Sequence, residues 1–264
     1  TDFNNWDYTN LQMKDIEDLG IKTTQGDAVW AIDSVNGILI VTVSGDKYNG
    51  KLAIVKDSAQ VKMGVSHLSW RGQTVGEICE EYDAILGINA NGFVDKDGHG
   101  DGSAPVGLII SEGKQTHEKS YGSYYVVGGY NEDNYFRVGS KLDTSELRDA
   151  AQFFPALVVD GKKNAVGSFG LGLQPRTAIG QTSDKRTLML IIDGRQVGHS
   201  IGATVGECAD ILLRYDCWVS MGMDGGSSSS MVYDGEIITK PSTPMKNGRY
   251  LPNAWIVEKA AKGE

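Results

Sequence analysis

The chain has 264 residues, of which 34 are glycine and six proline, with 40% apolar residues and a net charge of −9. Glycine at roughly one residue in eight follows no Gly-X-Y period, and the apolar fraction can fill a large core, so collagen-like and disordered classes are excluded. No apolar run approaches the ~18 residues of a membrane span, and 34 acidic against 25 basic residues leave no positive footprint for nucleic acid.

No low-complexity linker interrupts the chain, which reads as one domain over 1–264. It begins at Thr1 without a charged-then-apolar leader, so any targeting segment is expected to have been removed. Apolar strand-like runs fall at 38–43, 51–55, 84–88, 106–110, 124–127, 156–159, 188–192, 218–221, 231–233 and 254–257. Between such runs lie Glu112-Gly113, Asp160-Gly161, Asp193-Gly194 and Asp234-Gly235, each predicting a hairpin because the central positions favour positive φ. Helices are predicted over 74–82 and 204–215. Both open with Thr-Val-Gly-Glu, a capping box in which Thr and Glu satisfy each other's orphan amides. Each helix leads through Tyr-Asp into a strand, then a polar-glycine pair (Asn91-Gly92 or Asp224-Gly225), then a hairpin. The expected fold class is α+β: a twisted mixed sheet with hairpins, two main helices and an internal pseudo-repeat. Polar loops at the ends of two neighbouring strands would converge on one crevice.

Several chemical motifs can be weighed on their residues. Cys79, Cys208 and Cys217 have no C-x-x-C spacing and are expected to be buried free thiols. Gly198-His199-Ser200-Ile201-Gly202 matches a nucleophile elbow, but that arrangement needs a histidine downstream, and His67, His99, His117 and His199 all precede Ser200. Ser200 is therefore a binding rather than an attacking residue. The acidic loop 95–102 resembles a calcium loop until Val106 falls where the bidentate glutamate belongs; it reads as a loose surface metal site or a mobile lid. Metal ligands stay unassigned, no cofactor is assigned, and a divalent cation is left open.

The segment 223–231 packs Asp224, Gly225, Gly226 and four serines between two strands, too short for a linker and suited to cradling a phosphate or sugar. Asp224 is its only carboxylate. Arg176, held between Pro175 and an apolar run, and Arg195 could clamp a phosphate.

In order, Asn89-Ala90-Asn91-Gly92-Phe93, Pro175-Arg176-Thr177-Ala178-Ile179-Gly180, Asp193-Gly194-Arg195, Ser200-Ile201-Gly202-Ala203-Thr204, Asp224-Gly225-Gly226 and Arg249 with Asn253-Ala254 resemble the phosphodiester glycosidase family. The resemblance runs over 50–257, leaving 1–49 as a peripheral N-terminal part. The family's I-N-G-G-F-F gains one residue here, so Asn89 and Asn91 both remain counterparts of its asparagine. In its D-G-G-G-S-S-T, Ser227 and Ser230 replace glycine and threonine, making Ser228 and Ser229 the matching hydroxyls. The resemblance implies an extracellular or cell-surface bacterial hydrolase that cleaves a sugar-1-phosphate diester in a glycan, with free sugar and a phosphomonoester as products. Asp224 is the first-choice catalytic carboxylate and Asp193 the second, while Glu207 is a capping residue. Asn89, Asn91, Arg176, Arg195, Ser200, Gly225, Gly226, Ser228 and Ser229 would bind substrate. A phosphorylated glycan is the expected partner, with no nucleic acid. The rival readings are a non-catalytic glycan- or phosphate-binding module and a phosphodiesterase that cuts P–O. Sequence does not specify the oligomeric state.

Overall fold

Strands Ile38–Ser44 and Thr187–Ile192 are apolar at nearly every position, not at alternate ones, because both of their faces are covered. Ile38, Ile40, Met189 and Ile191 point into one core, while Leu39, Val41, Leu188 and Leu190 point into another. A computed structural model describes residues 11–120, 122, 124–167, 169 and 171–261. The first ten residues of segment 1–49, residues 262–264 and the Asp97 side chain of the acidic loop lie outside the described residues.

A nine-stranded sheet runs in the order Gln12–Lys14, Ala28–Asp33, Ile38–Ser44, Asn49–Val55, Thr187–Ile192, Arg176–Thr182, Cys217–Met223, Ala156–Val159, Lys162–Lys163. One of its faces carries helix α2 (Val205–Leu213), whose Cys208, Ala209, Ile211 and Leu212 complete the second core. Its other face packs on two five-stranded sheets around Trp255, Tyr130 and Met221. One contains Phe136–Gly139, Val126–Asn131, Leu147–Phe153, Ile109–Ser111 and Lys114–His117. The other contains Glu236–Ile237, Met231–Tyr233, Ala84–Asn89, Asn253–Glu258 and Val61–Val65. Helix α1 (Val75–Glu81) covers the outer face of this last sheet through Val75, Ile78 and Cys79. Gly87 beneath it has no side chain because a Cβ there would collide with Cys79 Sγ.

The α+β expectation is corrected. Strand makes up 42% of the described residues and helix 11%, and all three of their sheets are antiparallel rather than mixed. The physical reason lies in where the helical crossovers land. Helix α2 links Thr187–Ile192 to Cys217–Met223, and α1 links Val61–Val65 to Ala84–Asn89, two patterns that would suggest parallel pairing. In each case one antiparallel strand slips between the two, Arg176–Thr182 in the first and Asn253–Glu258 in the second. The hairpins that follow diverge, since Met231–Tyr233 pairs with Ala84–Asn89 while Ile109–Ser111 enters the remaining sheet.

Both helices begin on capping boxes, Thr74 with Glu77 and Thr204 with Glu207. Glu112, Asp160 and Asp234 each sit at positive φ ahead of a positive-φ glycine, as their hairpins require. Asp193-Gly194 is different. The left-handed residue is Arg195, and the chain leaves the sheet for the loop that reaches α2.

The candidate active site

Strands Ala84–Asn89 and Cys217–Met223 belong to different sheets, yet their C-terminal loops are bonded together. Asp224 N–H donates to the Ala90 carbonyl at 3.0 Å, and Asn89 Nδ2 donates to the Asp224 carbonyl at 2.7 Å. The second loop is tightened by Gly226, at φ 61, whose N–H donates to Pro175 O at 3.0 Å. These bonds fix Asp224 at the junction of two lobes of one cleft, of about 300 and 330 Å³, at the lower end of small-molecule sites.

The first lobe is lined by Arg176, Arg195, Gln174 and Thr177 against an apolar wall that includes Leu157, Leu171 and Val205. Arg176 Nε donates to Ala203 O at 3.0 Å and Nη2 to Gly172 O at 2.7 Å, while both Nε and Nη2 of Arg195 donate to Gln174 Oε1. Among the described residues neither guanidinium has a carboxylate partner. Burial draws the Arg176 pKa down, with the nearby Arg195 charge a lesser contribution. An arginine keeps its charge regardless, so this lobe holds uncompensated positive charge that an anion would stabilise.

The second lobe is lined by Gly92, Phe93, Asp95, Tyr125, Phe153 and Ser228, among others. A Cβ at Gly92 would stand 3.1 Å from Phe153 and 3.9 Å from Asp224 Cγ, so any larger residue would press on the Phe153 ring and narrow this wall. Asp95 forms a two-point ion pair with Arg249, both contacts at 3.1 Å; Arg249 also donates to Ser227 Oγ and Gly100 O and lies over the Phe93 ring. The acidic loop is thus tied to the Asp224 loop. Asp101 accepts from Ser103, and among the described residues no group of three or more His, Cys, Asp or Glu is disposed to hold a metal ion.

Burial pushes the Asp224 carboxyl up to about 6, against opposing hydrogen bonds from Ser228 and the Gly225 N–H and the attraction of Arg249; Asp95 adds a smaller upward push. Removing Arg249 takes away one stabilising charge and leaves Asp95 unneutralised. Arg249→Ala is therefore expected to move the Asp224 titration above 6, read by ¹³C NMR of the labelled carboxyl; an unchanged or lower value would contradict this electrostatic account.

Of the residues singled out from sequence, Asp224, Arg176, Arg195, Gly225, Gly226 and Ser228 line the cleft. Others do not. Asn89 is fully buried, accepting from Thr177 Oγ1 and Ser230 N while holding the Asp224 carbonyl. Asn91 is also buried, donating to the carbonyls of Val106, Leu108 and Gln152 and bonding Asn253 twice. Ser229 accepts from Thr177. Ser200 donates to the Asp193 carbonyl at 2.6 Å and accepts from Asn49 N, closing its own turn. Asp193 lies behind the arginine turn, 5% exposed, joined to His199 Nε2 at 2.8 Å and accepting from the Lys240 N–H. The site residues that sequence reasoning passed over are Arg249, Asp95, Gln174, Tyr125 and Phe153. Arg249 carried a signal in the closing motif, and Asp95 one in the acidic loop read as a metal site or lid.

Asp224 thus sits between a lobe that holds Arg176 and a lobe walled by Phe93 and Tyr125, with Arg195 and Phe153 reaching into both. The family model described as phosphodiester glycosidase matches residues 82–258, and the chain belongs to that family of glycosidase-type hydrolases. The fold is shared with the catalytic domain of zebrafish N-acetylglucosamine-1-phosphodiester alpha-N-acetylglucosaminidase, described as auto-inhibited by its pro-peptide: TM-score 0.68, 18% identity, covering 84% of this chain and 82% of that one. A hypothetical protein from Synechocystis is similar at TM-score 0.61 and 14% identity, over 87% and 63% of the two chains. A presumed exported protein of Burkholderia pseudomallei follows at 0.58 and 12%, over 80% and 74%. No curated protein matches by sequence.

Proposed function

We propose that the protein hydrolyses the glycosidic bond of a sugar-1-phosphate diester in a bacterial cell-surface glycan, outside the cytoplasm, releasing free sugar and a phosphomonoester. The observation that carries this reading is Asp224, with its raised pKa, at the join between a lobe that holds Arg176 and Arg195 with no carboxylate besides Asp224 and an open, aromatic-walled lobe. The phosphate belongs beside Arg176 and Arg195, the sugar over Phe153 and Tyr125, and the anomeric carbon between them, at Asp224.

The chemistry needs few groups. When C1–O breaks, the electron pair leaves on a phosphomonoester whose second pKa is about 6, so the departing oxygen requires cations rather than a strong proton donor. Arg176 and Arg195 supply them. Water provides the new oxygen at C1. Asp224 either attacks C1 first or takes the proton from that water, and the anomeric configuration of the released sugar distinguishes the two. Asp193 does not line the cleft, and its carboxylate is occupied by His199 and the Lys240 N–H, so it is not proposed as the second carboxylate.

Hydrolysis in ¹⁸O-labelled water tests the bond cleaved. Label is expected at C1 of the sugar and absent from the phosphomonoester. Label in the phosphate would instead establish P–O cleavage, and no turnover of any sugar-1-phosphate diester would leave a binding module.

A further inference from the structure

Arg195 also lines a shallow groove of about 560 Å³ with Gln196, Lys240, Ser242, Thr243 and Lys246, among others, and no carboxylate lies in its lining. The groove is built rather than incidental. The Lys240 N–H donates to Asp193 Oδ1 at 2.9 Å, and Gln196 Nε2 donates to the Lys240 carbonyl at 2.6 Å, so the segment carrying Lys240 is pinned to the turn carrying Arg195. Thr243 Oγ1 accepts from Met245 N, and Gly248 N–H donates to Met245 O, which fold the segment back on itself. The Lys240 and Lys246 side chains are exposed and, among the described residues, form no ion pair. Ser242 Oγ is buried without a hydrogen-bond partner, a donor that the groove leaves unused.

In a protein of net charge −9, three cations line one groove that shares Arg195 with the cleft, a local concentration of positive charge. Arg195 belongs to both spaces, so a phosphate held there has its sugar toward Asp224 and its second ester toward Lys240 and Lys246. What lies beyond that ester should carry negative charge. Resting on the hydrolase reading above, we propose that this groove is a second anion subsite, and that the substrate is a polymer whose sugars repeat through phosphodiester links, with the next phosphate along the chain seated between Lys240 and Lys246. Asp193, which sequence reasoning considered for catalysis, then serves as a positioning residue that holds the two subsites in register.

The test compares Lys240→Gln/Lys246→Gln with wild type on two substrates: a simple methyl diester of a sugar 1-phosphate, and an oligomer with at least three phosphodiester-linked repeats. For the methyl diester kcat/KM is expected to stay within about twofold. For the oligomer it should fall roughly tenfold through KM, with weaker dependence on ionic strength than wild type. Equal effects on both substrates, or none on the oligomer, would overturn the subsite. If wild type turns over neither substrate, the hydrolase reading itself fails, and the groove is then judged by calorimetric binding of the oligomer: loss of binding in the double variant supports it, and unchanged binding rejects it.

Discussion

Asp224→Asn is expected to lower turnover of a sugar-1-phosphate diester by about 10³-fold or more while leaving substrate binding intact, because it removes the one carboxylate placed at the join of both lobes. In wild type, kcat/KM should rise with pH and level off above about 6, as the carboxyl ionises. The same substitution should affect stability in a pH-dependent way. A group whose folded pKa stands above its unfolded value of about 4 favours the fold while protonated, and that contribution is lost as pH rises through the folded value near 6. The asparagine variant never ionises. It should match wild type near pH 4 and exceed it above pH 7, by at most about 3 kcal/mol for a shift of some two units, since Ser228 and Gly225 offset part of the cost. Denaturant melts at the two pH values measure this. Equal differences at both would show that burial does not strain Asp224, and unchanged turnover would remove it from the mechanism.

Asn91→Ala should act almost entirely on the fold. Its amide donates to the carbonyls of Val106 and Leu108 in one segment and of Gln152 in another, and its oxygen accepts from Asn253; alanine would remove these bonds in a site closed to solvent. Unsatisfied buried groups cost about 1–3 kcal/mol each, so a loss of about 3 kcal/mol or more is expected. The readout is a lowered Tm with KM unchanged well below it. A raised KM at unaltered Tm would instead restore Asn91 as a sugar ligand.

Asn91 illustrates what the sequence could and could not convey. A polar residue beside glycine in a loop after an apolar strand reads as a ligand contact, and the same pattern describes Asp224-Gly225. The difference lies in what surrounds each. The loop after Asn91 is packed against Leu108 and Gln152, whereas Asp224 faces a gap between sheets. Strand Leu147–Phe153 was illegible for a related reason: its Arg148 and Asp149 are buried and pair with each other, with Asp149 also accepting from Met63 N and Arg148 donating to the carbonyls of Val61 and Ser58. No local rule places charged side chains at adjacent buried positions, and Phe153 of the cleft wall was hidden along with them.

Sequence alone determined the features whose forces act within a few residues: both capped helices, three positive-φ hairpin turns, three buried free thiols, and the ordered motifs that carry the family and Asp224. Tertiary structure decided what depends on distant partners. It set the antiparallel insertion of Arg176–Thr182 and Asn253–Glu258 between crossover strands, turned Asn89, Asn91, Ser200 and Asp193 toward buried bonds, and left Arg176 and Arg195 facing open space. Side-chain type limits which bonds a residue can make, but which of them it does make depends on the chain that packs opposite.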